Sequence, residues 1–409
     1  MDRLSTSNPP PWGWLTGIRP AKLMSRLLAE MDETEALIQM RELYDVSPRR
    51  AELALCAALA ERRVKIKPND AALYIGIPFC PSRCSYCSFV SGWVGKTSKL
   101  MKPFVDTLEY EMEQTAKTIE TLGLDIPAVY IGGGTPTCLP PELFERVLGI
   151  TARYTPNVRE YTVEAGRPDT ITPENTDIMR AFGVDRVSVN PQSMNAKTLE
   201  RIGRKHSVDD VCKAFSLVGD FKTVNMDIIV GLPGETAGDF AKTLSEVIGM
   251  KPQNITVHTL SRKKGSDLSV EGGDCAPPGE TAAMVDLSLE ELPKAGYRPY
   301  YLYRQKFMAG DFENIGWSLN GHDGLYNVIM MAELATVLAA GGGGVTKLVN
   351  QKSGLIERSY NLKYPSEYNN SQLKIDNKQQ FVIDFYDKKR RAAAARLARR
   401  DSKITQEGI

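Results

Sequence analysis

The sequence predicts an α/β protein built on a partial barrel of six strand–helix units, a (β/α)6 arrangement, with an N-terminal helical segment and a C-terminal α+β extension. Three observations predict it: β-rich runs alternating with helical periodicity from residue 70 to about 262, loss of that alternation beyond, and a helical pattern over residues 18–66 that follows an extended, Pro- and Trp-rich stretch. Strands separated by helices form right-handed crossovers and therefore a parallel sheet. Such barrels carry their functional groups at the C-terminal strand ends.

Residues 1–69 form the first division. AKLMSRLLAEMDETEALIQMRELY and AELALCAALAERR place apolar side chains at helical spacing, the second run after a capping-like Ser47-Pro48. In residues 70–262 the expected strands are 73–77, 128–133, 160–165, 186–190, 223–231 and 255–260. The expected helices are 99–122, 140–153, 173–182, 195–202, 208–219 and 236–250. Residues 263–380 are read as a cap or substrate region, with an acidic helical stretch (280–295), the aromatic-basic YRPYYLYRQKF (297–307) and a GGGG run (341–344). Residues 381–409 carry KKRRAAAARLARR, a solvated terminal helix or, alternatively, a nucleic-acid or lipid contact.

Apolar residues make up 42% and charged residues 25%, the balance of a soluble globular protein, and a net charge of +1 argues for neither nucleic acid nor an anionic membrane as partner. Apolar runs such as Leu334–Ala340 are too short to span a bilayer, and MDRLSTSNPPPWGW has no apolar stretch of the secretory kind. Seven cysteines, an odd number with three inside eight residues, fit a metal or cluster site in a reducing compartment better than a disulfide framework. The expected location is cytoplasmic.

The chemistry concentrates in IPFCPSRCSYCSF, where Cys80, Cys84 and Cys87 stand as C-x3-C-x2-C directly after the first expected strand. Three thiolates suit a four-iron cubane, because the fourth iron stays open for a small chelating molecule. Zinc is the rival, but a structural zinc site closes four ligands and this loop has no fourth Cys or His. A second motif, YIGGGTPTCL, ends the next strand with consecutive glycines that let backbone approach a ligand. In a third, VEAGRPD, Glu164 sits at a strand end where a carboxylate accepts hydrogen bonds from a ribose or is simply solvated.

C-x3-C-x-aromatic-C resembles the signature of the radical S-adenosylmethionine (SAM) superfamily. That resemblance implies a [4Fe–4S] cluster on Cys80, Cys84 and Cys87 and reductive cleavage of SAM to a 5′-deoxyadenosyl radical that abstracts hydrogen. It also places Tyr86 at the aromatic position near the adenine, with ordinary loop packing as the alternative. The segments YIGIPFCPSRCSYCSF, YIGGGTPTCL, VEAGRPDTIT, RVSVNPQSMNAKTLERIGRKHS and NMDIIVGLPGET are similar to the oxygen-independent coproporphyrinogen III oxidase (dehydrogenase) family. Asn190-Pro191-Gln192, YYLYRQKF, N-I-G-W, GVTK and LTGIRPAKL resemble its HemZ branch, so the likeness runs from about residue 12 to 360.

The family pattern implies one or two bound SAM molecules. The cluster-bound one would meet Tyr74, Gly133, Glu164 and the backbone near Ser261, and a second would meet Tyr86, Gly134, Thr135, Gln192, Arg204 and Asp227. From the residues alone, Arg204 and Asp227 equally suit a structural ion pair. The implied reaction is oxidative decarboxylation of two propionates of coproporphyrinogen III to vinyl groups, with electrons from a donor such as flavodoxin or ferredoxin. A tetracarboxylate needs cationic partners, and Arg262, Arg298, Arg304 and Lys306 are the candidates. One departure bears on this: Phe89 stands where the demonstrated dehydrogenases carry a further cysteine, which the haem-chaperone branch also lacks. The alternatives are thus a haem-binding chaperone, a radical SAM enzyme acting on haem or another tetrapyrrole, and a non-catalytic scaffold or nucleic-acid binder using the basic tail.

Overall fold

The computed structural model describes residues 10–15, 19–89, 92–261, 266, 275–305 and 308–406, with side chains to residue 390. Three helices come first, α1 (Pro20–Leu27), α2 (Glu33–Glu42) and α3 (Pro48–Arg63). A capping box starts α2: Asp32 accepts from the Glu35 N–H while Glu35 reaches back to the Asp32 N–H. Helix α3 does begin after Ser47-Pro48, but not by capping, since the Ser47 hydroxyl makes no cap bond. Proline at the first helical position, with its φ already helical, sets that start.

Six parallel strands follow: β1 (Asp70–Ile77), β4 (Asp125–Gly133), β5 (Glu160–Gly166), β6 (Arg186–Val189), β7 (Thr223–Val230) and β8 (Asn254–Thr259). They stand side by side in chain order. A small pair, β2 (Phe79–Cys80) and β3 (Gly92–Trp93), brackets the cysteine loop. The crossover helices are α5 (Met101–Leu122), α6 (Pro141–Tyr154), α7 (Pro173–Ala181), α8 (Ala196–Arg201), α9 (Val208–Leu217) and α10 (Ala237–Met250); the short α4 (Val94–Thr97) precedes them. Every expected strand and helix of residues 70–262 is present within a few residues of its expected bounds. One core fills the space between this sheet and its outer helices, from Phe104 and Phe144 through Ile131 and Val163 to Val187.

Beyond residue 262, where the alternation fades, the sheet nevertheless continues. Strands β9 (Arg298–Tyr303) and β10 (Asn314–Ser318) add antiparallel at the β8 edge. Strand β11 (Thr336–Gly341) pairs parallel with β1, and β12 (Val345–Asn350) and β13 (Leu355–Tyr360) follow antiparallel, giving eleven strands in all. Periodicity hides β11 because TVLAAG is buried on both faces and shows no alternation. YYLYRQKF supplies β9, with Tyr300 and Tyr301 buried. Helices α1–α3 cover the β8–β10 edge from outside, packing Trp12, Met24, Met40 and Ala54 with Val257, Ile315 and Trp317.

The N-terminal ends of the parallel strands are plugged by the helix Leu325–Ala332, whose Tyr326 and Ile329 lie against Ala72, Ala128 and Val337. Glu160 caps this helix, accepting from the N–H groups of Leu325 (2.6 Å) and Tyr326 (2.8 Å). The C-terminal helix Gln372–Gln406 is pinned to the sheet by Lys378, which donates to buried Glu111 and to the Ala339 carbonyl (2.7 Å). The basic tail lies on this helix, and its side chains beyond Arg390 fall outside the described residues. Among the described residues, no helix is long and apolar enough to cross a membrane.

Candidate functional site

The open end of the barrel is built in layers. Inside β1 and β4, Tyr74 and Tyr130 stack with ring centroids 6.2 Å apart, and Tyr326 of the plug helix lies 4.7 Å from Tyr130. Gly76 and Gly132 stand one inward position above these tyrosines. A Cβ on Gly132 would come within 2.8 Å of the Tyr130 ring, so the missing side chain lets the aromatic floor rise to that level.

Inside the barrel, β5 to β8 contribute polar groups around a cavity of about 120 Å³ that runs from Glu160 and Arg186 at the plugged end up to Tyr130, Glu164, Asp227 and His258. Glu164 is half-buried and accepts from the Tyr130 hydroxyl and from Asn190 Nδ2 (2.5 Å). Burial, reinforced by the Asp227 charge, pushes its carboxyl up to about 7. Asp227 resists the same burial because His258 (3.5 Å) and Asn225 (2.8 Å) hold its charge, and it titrates below the usual range. Burial works against the His258 imidazolium, yet its bond to Asp227 wins and raises its pKa. The Asp227 carboxylate, held by His258, therefore stands beside a carboxyl raised to about 7.

The cysteine loop crosses the top of β1. Gly134 donates to the Ile77 carbonyl (2.8 Å) and Thr135 to the Phe79 carbonyl (2.7 Å), lacing the end of β4 to the loop. The Thr135 hydroxyl also reaches the Cys80 sulfur (3.7 Å). A Cβ on Gly134 would lie 2.8 Å from that sulfur and 2.3 Å from the Phe79 oxygen; one on Gly133, at φ +109°, would lie 2.8 Å from the Ile77 nitrogen. Gly133 and Gly134 thus give room to the end of β1 and to the cysteine loop.

Cys84 is buried, Cys80 and Cys87 are half-buried, and all seven cysteines are thiols rather than disulfide halves. Burial pushes the Cys87 thiol up to about 11, with Cys84 and Cys80 adding to it. Metal binding must then supply the stabilisation of the thiolate and releases protons. Among the described residues, no three Cys, His, Asp or Glu side chains are gathered tightly enough to hold one metal ion. Three sulfurs on one loop, each for a different iron, fit a cubane as donor set and do not make a closed zinc site.

The other candidates separate into two groups. Tyr86 accepts from Arg204 Nη2 (3.0 Å) and packs with Leu199, Ile202 and Leu260. Arg204 also donates to the Asn190 carbonyl (3.4 Å), while Asp227 pairs with His258, so Arg204 and Asp227 are not partners and the ion-pair alternative falls. Gln192 is held in a left-handed conformation (φ +66°) by backbone bonds with Asp227 and Ile229, strain of a kind that clusters at functional sites. Ser261 closes β8 with a bridge to Met308.

The two described substrate candidates do not gather at the opening. Arg298 starts β9 beside Ser318, at the plugged end, and pairs with Asp323 (3.2 Å). Arg304 is near the open end but donates to the carbonyls of Leu15 (2.6 Å) and Asp311 (3.2 Å) and lies over Trp12. Arg262 and Lys306 lie outside the described residues. Sequence reasoning missed Tyr130, Asn190, Arg167 and His258. The last had a signal, being one of only three histidines and set in an otherwise uncharged strand, ITVHTL.

Fold and site together define an iron–sulfur protein of the barrel type, and the comparisons agree. The profile of the radical SAM superfamily matches residues 74–247. The chain is 35% identical over 372 residues to the oxygen-independent coproporphyrinogen-III oxidase-like protein HemZ of Bacillus subtilis, covering 88% of this chain and 74% of that protein. It is 30% identical over 237 residues to the haem chaperone HemW of the same organism, covering 56% of this chain and 61% of HemW. The solved coproporphyrinogen III oxidase HemN of Escherichia coli shares the fold at a TM-score of 0.60 and 19% identity, covering 79% of this chain and 73% of that one.

The chain belongs to the radical SAM superfamily and, within it, to the oxygen-independent coproporphyrinogen-III oxidase family in the HemZ branch. Its cofactors are accordingly a [4Fe–4S] cluster and SAM.

Proposed function

We propose that this protein removes two propionate carboxyls from coproporphyrinogen III as CO2, leaving the vinyl groups of protoporphyrinogen IX. The likeness to HemZ over 88% of the chain carries this reading. When bound, the cluster and SAM would supply a 5′-deoxyadenosyl radical able to take hydrogen from the propionate β-carbon, and vinyl formation would then release CO2 and pass one electron to an acceptor. The chain's own residues hold and orient. Cys80, Cys84 and Cys87 are the cluster ligands; Glu164 takes the ribose hydroxyls, held in place by Tyr130 and Asn190. Tyr74, Gly133 and the backbone near Ser261 complete that SAM site. Tyr86, Gly134, Thr135, Gln192, Arg204 and Asp227 form the adjoining site for a second SAM.

A second reading, a haem chaperone, is supported by one residue. Phe89 replaces the further cysteine of the dehydrogenases and is 65% exposed at the end of the loop. The engagement of Arg298 and Arg304 elsewhere also leaves Arg262 and Lys306 as the remaining cationic candidates for propionates. The deciding experiment is anaerobic incubation of reconstituted protein with SAM, a low-potential reductant and coproporphyrinogen III, followed by pigment analysis. We expect vinyl product. SAM cleavage without pigment conversion, together with tight haem binding, would replace the dehydrogenase with the chaperone.

A further inference from the structure

At the end of β5 the chain turns sharply. Gly166 adopts φ +61° and the Arg167 N–H donates to the Ala165 carbonyl (2.6 Å). The turn drives Arg167 back under the cysteine loop, where it is only 4% exposed. One edge of its guanidinium is taken by Asp169 through two bonds, Nε to Oδ1 (2.8 Å) and Nη2 to Oδ2 (2.9 Å). The remaining nitrogen, Nη1, donates to the Ser82 hydroxyl (2.9 Å) and points at the Cys84 sulfur (3.7 Å). A bidentate carboxylate fixes a planar guanidinium in both distance and rotation, so this aim is built in.

We propose that Arg167 and Asp169 form a positioning pair that sets the reduction potential of the cluster through Cys84. The inference rests on the three-cysteine reading above. Cluster potentials depend on net charge, burial and hydrogen bonds to the sulfurs. A one-electron donor adds negative charge to the cluster, and an N–H aimed at Cys84 from a buried cation stabilises that reduced form. Asp169 acts in the opposite sense: it orients the fork while cancelling part of its charge. The two members of one ion pair therefore have effects of opposite sign. A merely structural ion pair has no such signature.

The test is a redox titration monitored by electron paramagnetic resonance on reconstituted full-length protein, with iron and sulfide measured in every sample. Arg167→Met should lower the midpoint potential relative to wild type. Asp169→Asn should raise it, and Arg167→Lys should fall between wild type and Arg167→Met. If Arg167→Met does not fold, the Lys and Asn variants alone still give the signed pair. Midpoints that coincide with wild type, or shift in one common direction, overturn the proposal. Cys84→Ala separates the two levels: a full cluster in that variant defeats the three-cysteine reading itself, whereas its loss with coincident midpoints defeats only the role of Arg167 and Asp169.

Discussion

The two ends of the barrel are made from the same strands and treat charge differently. At the plugged end, Glu160 caps a helix, and Arg186 donates to the His322 carbonyl (3.0 Å) and to Asn254. Those groups complete their valences on the protein and hold the plug in place. At the open end, the Glu164 carboxyl is raised to about 7, Gln192 is strained, and the Arg204 Nε has no partner among the described residues. Buried polar groups are almost always satisfied, and exceptions need a reason. Unpartnered buried atoms occur at the plugged end too, at Arg298 Nη1 and Trp317 Nε1, so the contrast rests on the raised Glu164 carboxyl and the strained Gln192.

The largest test of that contrast is removal of the thiols. Cys80→Ala, Cys84→Ala and Cys87→Ala should each abolish the cluster absorbance of anaerobically reconstituted protein, which in the wild type should hold about four irons per chain. Cys56→Ala and Cys212→Ala, on exposed helix faces, should keep it. Cys138→Ala is the sharper control, because Cys80 lies close enough to help raise its thiol pKa. A cluster lost with Cys138 would make the site a four-cysteine one.

At the plugged end, Arg186→Ala should reverse the pattern. It leaves buried Glu160 without the guanidinium 3.6 Å away and removes a bond to a backbone carbonyl. Breaking a buried pair typically costs about 3–5 kcal/mol, so chemical denaturation should show a loss of that order with cluster content per folded chain unchanged. Cluster loss in the folded fraction would mean that the two ends are coupled.

Smaller than either is the effect expected at a substrate candidate. Arg298 is at the plugged end, so Arg298→Ala should leave coproporphyrinogen affinity within about twofold of wild type, against the 10- to 150-fold expected for a lost charge-assisted partner. A loss in the larger range would bring the substrate to that end and erase the contrast.

The barrel was legible because six strand–helix alternations leave a periodic trace, and the thiols because their spacing is local. What escaped is non-local. Residues 134 and 80 are far apart in sequence, and only the pairing of β1 with β4 shows that a glycine is needed to pass a cysteine sulfur. Arg298 and Arg304 were chosen for charge, and charge does not say to which end of a strand a residue belongs. Register does: Arg298 opposite Ser318 and Ser318 opposite Asn254 fix it at the N-terminal ends of the parallel strands.

A further test is a pH dependence, and it probes the open end before any cofactor is added. Glu164 has its folded pKa raised from 4.5 to about 7, so the folded protein holds that proton more tightly than the unfolded chain. Its stabilising contribution is complete below about 4.5 and is lost as pH rises through about 7, an interval worth roughly 3 kcal/mol. His258, with a raised pKa, acts in the same direction, since its contribution is present below 6.5 and fades above its folded value. Asp227 is lowered, so its contribution is lost only on acidification below 3.8, outside this window. Glu61 and Glu235 are also raised to about 7 by burial and add to the decline. The isolating measurement is therefore a difference: denaturation of cofactor-free wild type and Glu164→Gln at pH 5 and pH 8. Gln keeps an acceptor for the Tyr130 hydroxyl but has no proton to lose, so its stability should fall less between the two pH values. Parallel declines would place the Glu164 carboxyl back in the ordinary range and remove the open end's poised group.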